Sequence, residues 1–231
     1  MNDFVKQLLK ERAFCSYILR ELPGAILHEN ALIMVPFDHI LRVIVFESDT
    51  YGELKIRAGY LPLFVPTNAF DGSIFREIGR FSMFQDLNTL RILAVQCIKR
   101  QGLPFLSDVN FRFSVKDYYN FCFIEEYGLR ILAYSSLLSL NPDESKYWIQ
   151  RLLKRLKKQI HTFDVIANLE EVYEFAELLN DNPAKARSFL LSIEERTMRD
   201  LKMLDFEKFR FKDEMQLFRS VTQSSLGRRY C

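Results

Sequence analysis

The stretch Gly52–Pro66, GELKIRAGYLPLFVP, decides the fold class. Leu54, Ile56, Ala58 and Tyr60 alternate with Glu53, Lys55, Arg57 and Gly59. A period of two predicts a strand with one buried and one solvated face. Upstream, ALIMVP (31–36) and ILRVIVFES (40–48) are short, β-branched and partly alternating, with PFDH (36–39) and SDTYG (48–52) as turn material. These runs predict a three-stranded antiparallel meander, with a short fourth strand near Ser73–Gly79. Residues 4–22 read as one helix: Phe4, Val5, Leu8, Leu9, Phe14, Ile18, Leu19 and Leu22 recur at helical spacing until Pro23-Gly24 stops the run. That helix is expected on the apolar side of the meander.

After residue 84 the period changes from two to about 3.6. Leu87, Leu90, Leu93, Ala94, Cys97 and Ile98 form one helix face, ended by Gly102 and Pro104. Ser114 reads as the N-cap of VKDYYNFCFIEEYG. Helices are then expected over 129–140, 142–160, 169–180 and 183–204, and a last one over 212–222. Two of them start alike: LLSLNP (137–142) and LLNDNP (178–183) lie 41 residues apart. In each, a helix ends in Leu-Leu, Asn caps the next helix, and Pro takes its first position, where a missing N–H costs nothing. At the same offset Tyr134 aligns with Phe175, Ile149 with Leu190, and Leu152 with Ile193. The pattern predicts two helical hairpins of the α-solenoid kind; chance recurrence of Asn-Pro is the plainer alternative.

The expected class is therefore α+β. Residues 1–84 hold the helix and meander, 85–224 a helical bundle with two hairpin-like units packed on the first part, and 225–231 a frayed tail. The chain has 231 residues, 48% hydrophobic, with 21 Phe, enough apolar surface for a large core. Its 32 basic and 30 acidic side chains give a net charge of +2, which lacks the global signature of a nucleic-acid binder. MNDFVKQLLKERAF lacks the apolar core of a signal peptide, and no run approaches a membrane span. Cys15, Cys97, Cys122 and Cys231 are widely spaced and read as reduced thiols, so a cytoplasmic location is expected.

Several residue groups could carry chemistry. Glu53-Leu54-Lys55 matches the acid-x-Lys of restriction-type nucleases, in which acids hold Mg²⁺ and lysine helps activate water; Asp49, Glu47 or Asp38 would be the second acid. An exposed cross-strand charge pair explains the same residues. Lys146 to His161 carries seven basic or histidine residues and no acid. On a helix Arg151, Lys154, Lys158 and His161 share one face, and Leu152, Leu153, Leu156 and Ile160 cover another. Such a helix suits an acidic protein groove, a phosphate backbone or an acidic membrane, or is simply the solvated side of a core helix. Aromatic residues do not interleave with the run as a single-strand binder needs. His28, His39 and His161 lack metal-site spacing, and no nucleophile-elbow or phosphate-loop motif occurs, so neither cofactor nor metal is expected. Phe105, Phe111, Tyr118 and Tyr119 belong to an aromatic-rich stretch that could line a groove between the two halves.

The order of helix, meander ending YLPLFVP, helix leading into GLPFL (102–106), then LRILAYSSLL (129–138) and a paired helix resembles a broad group of uncharacterised bacterial α+β proteins. Members of such groups are sometimes found near toxin–immunity or phage-defence loci. The resemblance spans roughly residues 1–160, rests on structural motifs, and carries over no functional residue. It implies a bacterial interaction protein. The leading expectation is a soluble, non-enzymatic module that binds an acidic protein partner; a nuclease using Glu53 and Lys55, or a salt-sensitive nucleic-acid binder, are the alternatives.

Overall fold

The computed structural model describes residues 3–48, 53–66, 75–82, 84–107, 125–157 and 169–210. The chain is α+β: N-terminal helices, a five-stranded antiparallel meander, then further helices. It divides into two units, one of residues 1–61, 70–110 and 203–231, the other of 62–69 and 111–202. The helical stretch 87–107 groups with the sheet, and Pro62–Ala69 groups with the helical unit. The expected 225–231 tail lies outside the described residues.

The first unit opens with two helices rather than one, α1 (Asp3–Lys10) and α2 (Arg12–Glu21). Glu11 between them is extended, at ψ 104°. The break leaves carbonyls at the end of α1, and Cys15 Sγ donates to one of them, Leu9 O, at 3.0 Å. The sheet follows as β1 (Ala25–His28), β2 (Ala31–Met34), β3 (Ile40–Ser48), β4 (Leu54–Pro62) and β5 (Phe75–Phe81), in sequence order. The fourth expected strand is thus the fifth observed. The missed one, β1, is a four-residue edge strand paired through Ala25↔Met34 to His28↔Ala31.

Burial on β4 alternates from Leu54 to Ala58 and then becomes complete. Across it the β5 register slips by one residue, between Ile56↔Gly79 and Arg57↔Glu77. The bulge turns Ile78 into the core. On one sheet face Leu32, Ile44, Phe46, Leu54, Ile56, Ala58 and Ile78 pack with Phe14 and Ile18 of α2 and with Leu90 and Ala94 of α3 (Leu87–Cys97). Phe14 and Phe46 meet edge-on at 6.1 Å. The other face is not uniformly solvated: Ile33, Val43 and Val45 are also buried. An uninterrupted apolar run such as Val43–Phe46 marks a strand covered on both sides.

Gly102 and Pro104 do not end the third helix. It continues through a π turn, Ile98–Gly102, into α4 (Leu103–Ser107). Leu103 N–H reaches back to Ile98 O, and the wider turn accommodates a proline that has no N–H to give. A Cβ on Gly102 would stand 2.9 Å from both Ile44 Cδ1 and Ile78 Cδ1, so glycine lets this turn lie close against the sheet. Gly59 has the same role on the other face: its Cβ would sit 2.4 Å from the Phe75 ring, which covers it across the strands. Beyond Met203 the chain contributes again to this unit, through the 3₁₀ segment Leu204–Phe209. Phe37 N–H donates to Phe209 O, and the Phe206 ring meets His28 edge-on at 5.1 Å.

The second unit contains α5 (Glu125–Leu138), α6 (Pro142–Leu156), α7 (Leu169–Asp181) and α8 (Pro183–Asp200). The two Asn-Pro starts are as expected. Asn141 accepts from Glu144 N–H, Asn182 accepts from Ala184 and Lys185 N–H, and each is followed by Pro at N1. Burial along 142–152 repeats residue for residue along 183–193. Ser145 and Ala186, small at matching positions, are both fully buried, as are Ile149 and Leu190, Leu152 and Ile193. The turns differ: Leu140 adopts a left-handed φ of 59° before Asn141, whereas α7 runs helically to Asp181. The hairpins pack as a four-helix group, with α5 beside α6 and α8, and α6 beside α7.

Their junction holds a buried charge. Arg130 on α5 donates to Glu171 on α7, and Arg196 on α8 approaches the same carboxylate at 3.4 Å. Burial opposes the charge on Arg130, but the Tyr134 and Glu171 oxygens outweigh it and its pKa is raised. The aligned Tyr134 and Phe175 rings meet at a tilt of 55°, 4.4 Å apart, and Phe64 covers Tyr134 edge-on at 6.4 Å. Removing one partner of a buried pair strands the other charge. Glu171→Ala is therefore expected to cost about 3–5 kcal/mol in urea denaturation, most of it recovered in the apolar double variant Arg130→Met/Glu171→Leu. In the first unit Gly59→Ala is expected to cost about 1–3 kcal/mol by the same measurement, because the Phe75 ring must leave its place.

Candidate functional site

The exposed face of α6 is built by the same rules that bury its opposite face. Ser145, Ile149, Leu152 and Leu156 point inward, and Ser145 Oγ donates to Ala133 O at 2.7 Å. Asp143 and Glu144 lie in the first turn and Lys154 and Arg155 in the last, each sign favourable to the helix dipole. Outward stand Tyr147, Gln150, Arg151, Lys154 and Lys157. Between Lys146 and Lys157 there is no acid.

Two of the basic residues have distinct tasks. Arg155 Nε donates to Glu126 Oε1 at 2.7 Å, tying α6 to α5. Arg151 is held at the surface: Nη1 donates to Tyr147 Oη at 3.1 Å, and the guanidinium lies 5.8 Å from the Tyr147 ring and 5.6 Å from the Trp148 ring. Those rings meet edge-on at 4.8 Å, and Tyr147 is 52% exposed. One turn further, Lys154 is exposed. The result is a preset cation flanked by aromatics, a combination enriched at the centres of protein interfaces. Lys158 and His161, expected on this face, lie outside the described residues. The reading that no aromatic interleaves with the basic run is corrected here: the four-residue spacing of Tyr147 and Arg151 places them side by side.

Glu53 and Lys55 lie on the charged side of the sheet. Glu53 approaches Arg80 at 3.6 Å, and Lys55 approaches Glu77 at 3.8 Å. Arg80 also grips Glu77 through Nε and Nη2 at 3.0 Å each. The Arg80 hydrogen bond holds the Glu77 carboxyl below its ordinary pKa. Of the proposed second acids, Glu47 pairs with Arg57 at 3.4 Å, Asp38 lies 3.5 Å from His39, and Asp49 lies outside the described residues. Glu53 and Lys55 thus belong to a cross-strand charge ladder, and a guanidinium occupies the place beside Glu53 where a cation would compete. Among the described residues no group of three His, Cys, Asp or Glu is arranged to hold a metal ion.

Of the aromatic group, Phe105 is half-buried on α4 within the first unit. Its ring lies 5.4 Å from that of Tyr60, whose hydroxyl donates to Phe105 O at 2.6 Å. Phe111, Tyr118 and Tyr119 lie outside the described residues. Cys15 and Cys97 are free thiols; burial pushes the Cys97 thiol up to about 11, and its Sγ donates to Ile78 O at 2.8 Å. His39 is buried. Among the described residues no helix is long and apolar enough to cross a membrane.

Comparison with family models, curated proteins and solved structures finds no match. The chain's single tryptophan lies in the α6 cluster, so its emission reports on this face. Arg151→Ala is expected to make Trp148 more accessible to acrylamide quenching, with a stability loss of only about 0.5–1 kcal/mol.

Proposed function

We propose that this chain is a soluble, non-enzymatic interaction module that docks an acidic protein segment on the outward face of α6. The observation that carries the reading is Arg151, preset against Tyr147 and Trp148, with exposed Lys154 one turn away. A side chain already fixed by its neighbours loses little entropy when a carboxylate arrives. The flanking rings supply apolar contact that a purely charged patch lacks. A cytoplasmic setting is supported by the free Cys15 and Cys97 thiols. A bacterial immunity or phage-defence role is the biological setting that the sequence resemblance implies.

The test is purification of the tagged chain from its host, with nuclease treatment, beside the variant Arg151→Glu/Lys154→Glu. The expected result is a stoichiometric acidic protein that survives nuclease and is lost at least tenfold in the variant, whose circular dichroism is unchanged and whose melting temperature falls by only a few degrees. Equal capture by the variant would overturn the reading. Recovery of nucleic acid alone, released steeply by salt, would replace it with nucleic-acid binding. Mg²⁺-dependent cleavage that Glu53→Ala abolishes would replace it with the nuclease.

A further inference from the structure

The helix beside the basic one carries the opposite charge. α7 (Leu169–Asp181) holds Glu170, Glu171, Glu174, Glu177 and Asp181 and no Lys or Arg. Glu171 turns inward to Arg130. Glu170, Glu174 and Glu177 are exposed, at positions i, i+4 and i+7, and among the described residues none is in an ion pair. Tyr173, 41% exposed, lies among them. On α6 the outward stripe Tyr147, Arg151, Lys154 has the same spacing. Each stripe spans about 10 Å at the rise of an α-helix. One helix thus presents two cations and an aromatic, its neighbour three carboxylates and an aromatic, with the same spacing.

Resting on the reading of α6 as a protein-docking face, we propose that its acidic partner is α7 of a second copy of this chain. The stripes are complementary to each other, and α6 and α7 are neighbours in the helical group. A two-fold axis running along the two helices lays α6 of one copy over α7 of the other, and repeats the contact with the roles exchanged. That is the self-complementary surface a closed dimer requires. A net charge of +2 on 231 residues opposes such an approach very little at long range. Two pairs of helix faces make a small interface, so the dimer is weak and salt-sensitive, with a Kd of order 10 µM.

The experiment is sedimentation equilibrium of the full chain at about 100 µM, in roughly 50 and 500 mM salt. The wild type is expected to dimerise at low salt and to weaken at least tenfold at high salt. Arg151→Glu/Lys154→Glu alone and Glu174→Lys/Glu177→Lys alone are expected to be folded monomers, and their equimolar mixture to regain a one-to-one dimer. A wild type that stays monomeric at low salt overturns the proposal, as does a mixture that stays monomeric although each variant is folded. If the wild type is monomeric yet captures a foreign acidic protein that the α6 variant loses, this inference falls and the docking function of α6 stands. If neither association occurs, both fall.

Discussion

A guanidinium taken out of water must meet a carboxylate, and for Arg130 that carboxylate is Glu171 on the other hairpin. The ordering of the helical unit follows from this requirement. The pair fixes α5 against α7, the tilted Tyr134 and Phe175 rings meet beside it, and Arg196 brings α8 to the same carboxylate. An apolar junction of the same volume would tolerate sliding of one hairpin on the other; a buried ion pair does not, because a displaced charge has nowhere to go. The cost of burying the charge is offset only in one register. The outward faces of α6 and α7 are therefore held in a fixed relation by residues that neither face displays.

The correspondence between the hairpins extends to the positions that matter most for packing. Ser145 and Ala186 are the small residues at matching helix positions, and Arg155 and Arg196, also 41 residues apart, each reach a glutamate on a preceding helix. The surfaces have diverged while the interior has not. Where the first hairpin presents Arg151 the second has Ser192, and buried Leu132 corresponds to exposed Tyr173. The α5 helix is buried on nearly every side and α7 on one, so the same scaffold carries a central element in one copy and a peripheral one in the other.

Much of this fold was legible because it depends on local rules. Alternation named β4, Asn-Pro named the starts of α6 and α8, and a 41-residue offset named the hairpins. The failures are those of context. Glu11 is an ordinary helix residue by type, and its extended backbone is not visible in the periodicity. The segment Ala25–His28 is too short to show a period, and its identity as a strand comes from its partner. Gly102 and Pro104 read as a stop because the π turn that carries the helix past them is a tertiary accommodation against the sheet. For the site, Arg151 and Lys154 were visible as charge. Tyr147 and Trp148 were overlooked because they stand at the start of the run, before its densest basic stretch, although a four-residue spacing to Arg151 was there to be read. The acidic stripe on α7 was equally open to view, and only the adjacency of α6 and α7 gave it meaning.

The chain crosses between its two units at 61/62, 69/70, 110/111 and 202/203, so neither unit is one continuous segment. During synthesis the sheet's unit therefore cannot be finished when its strands emerge. It waits for Met203–Arg210, which bring Phe206 to His28 and Phe209 to Phe37, until the whole helical unit has been made. The helical unit in turn draws on Leu63–Val65, translated some sixty residues before α5. Contacts so distant in sequence close late. A nascent chain stalled before residue 203 thus holds all five strands but lacks the segment that packs on His28 and Phe37.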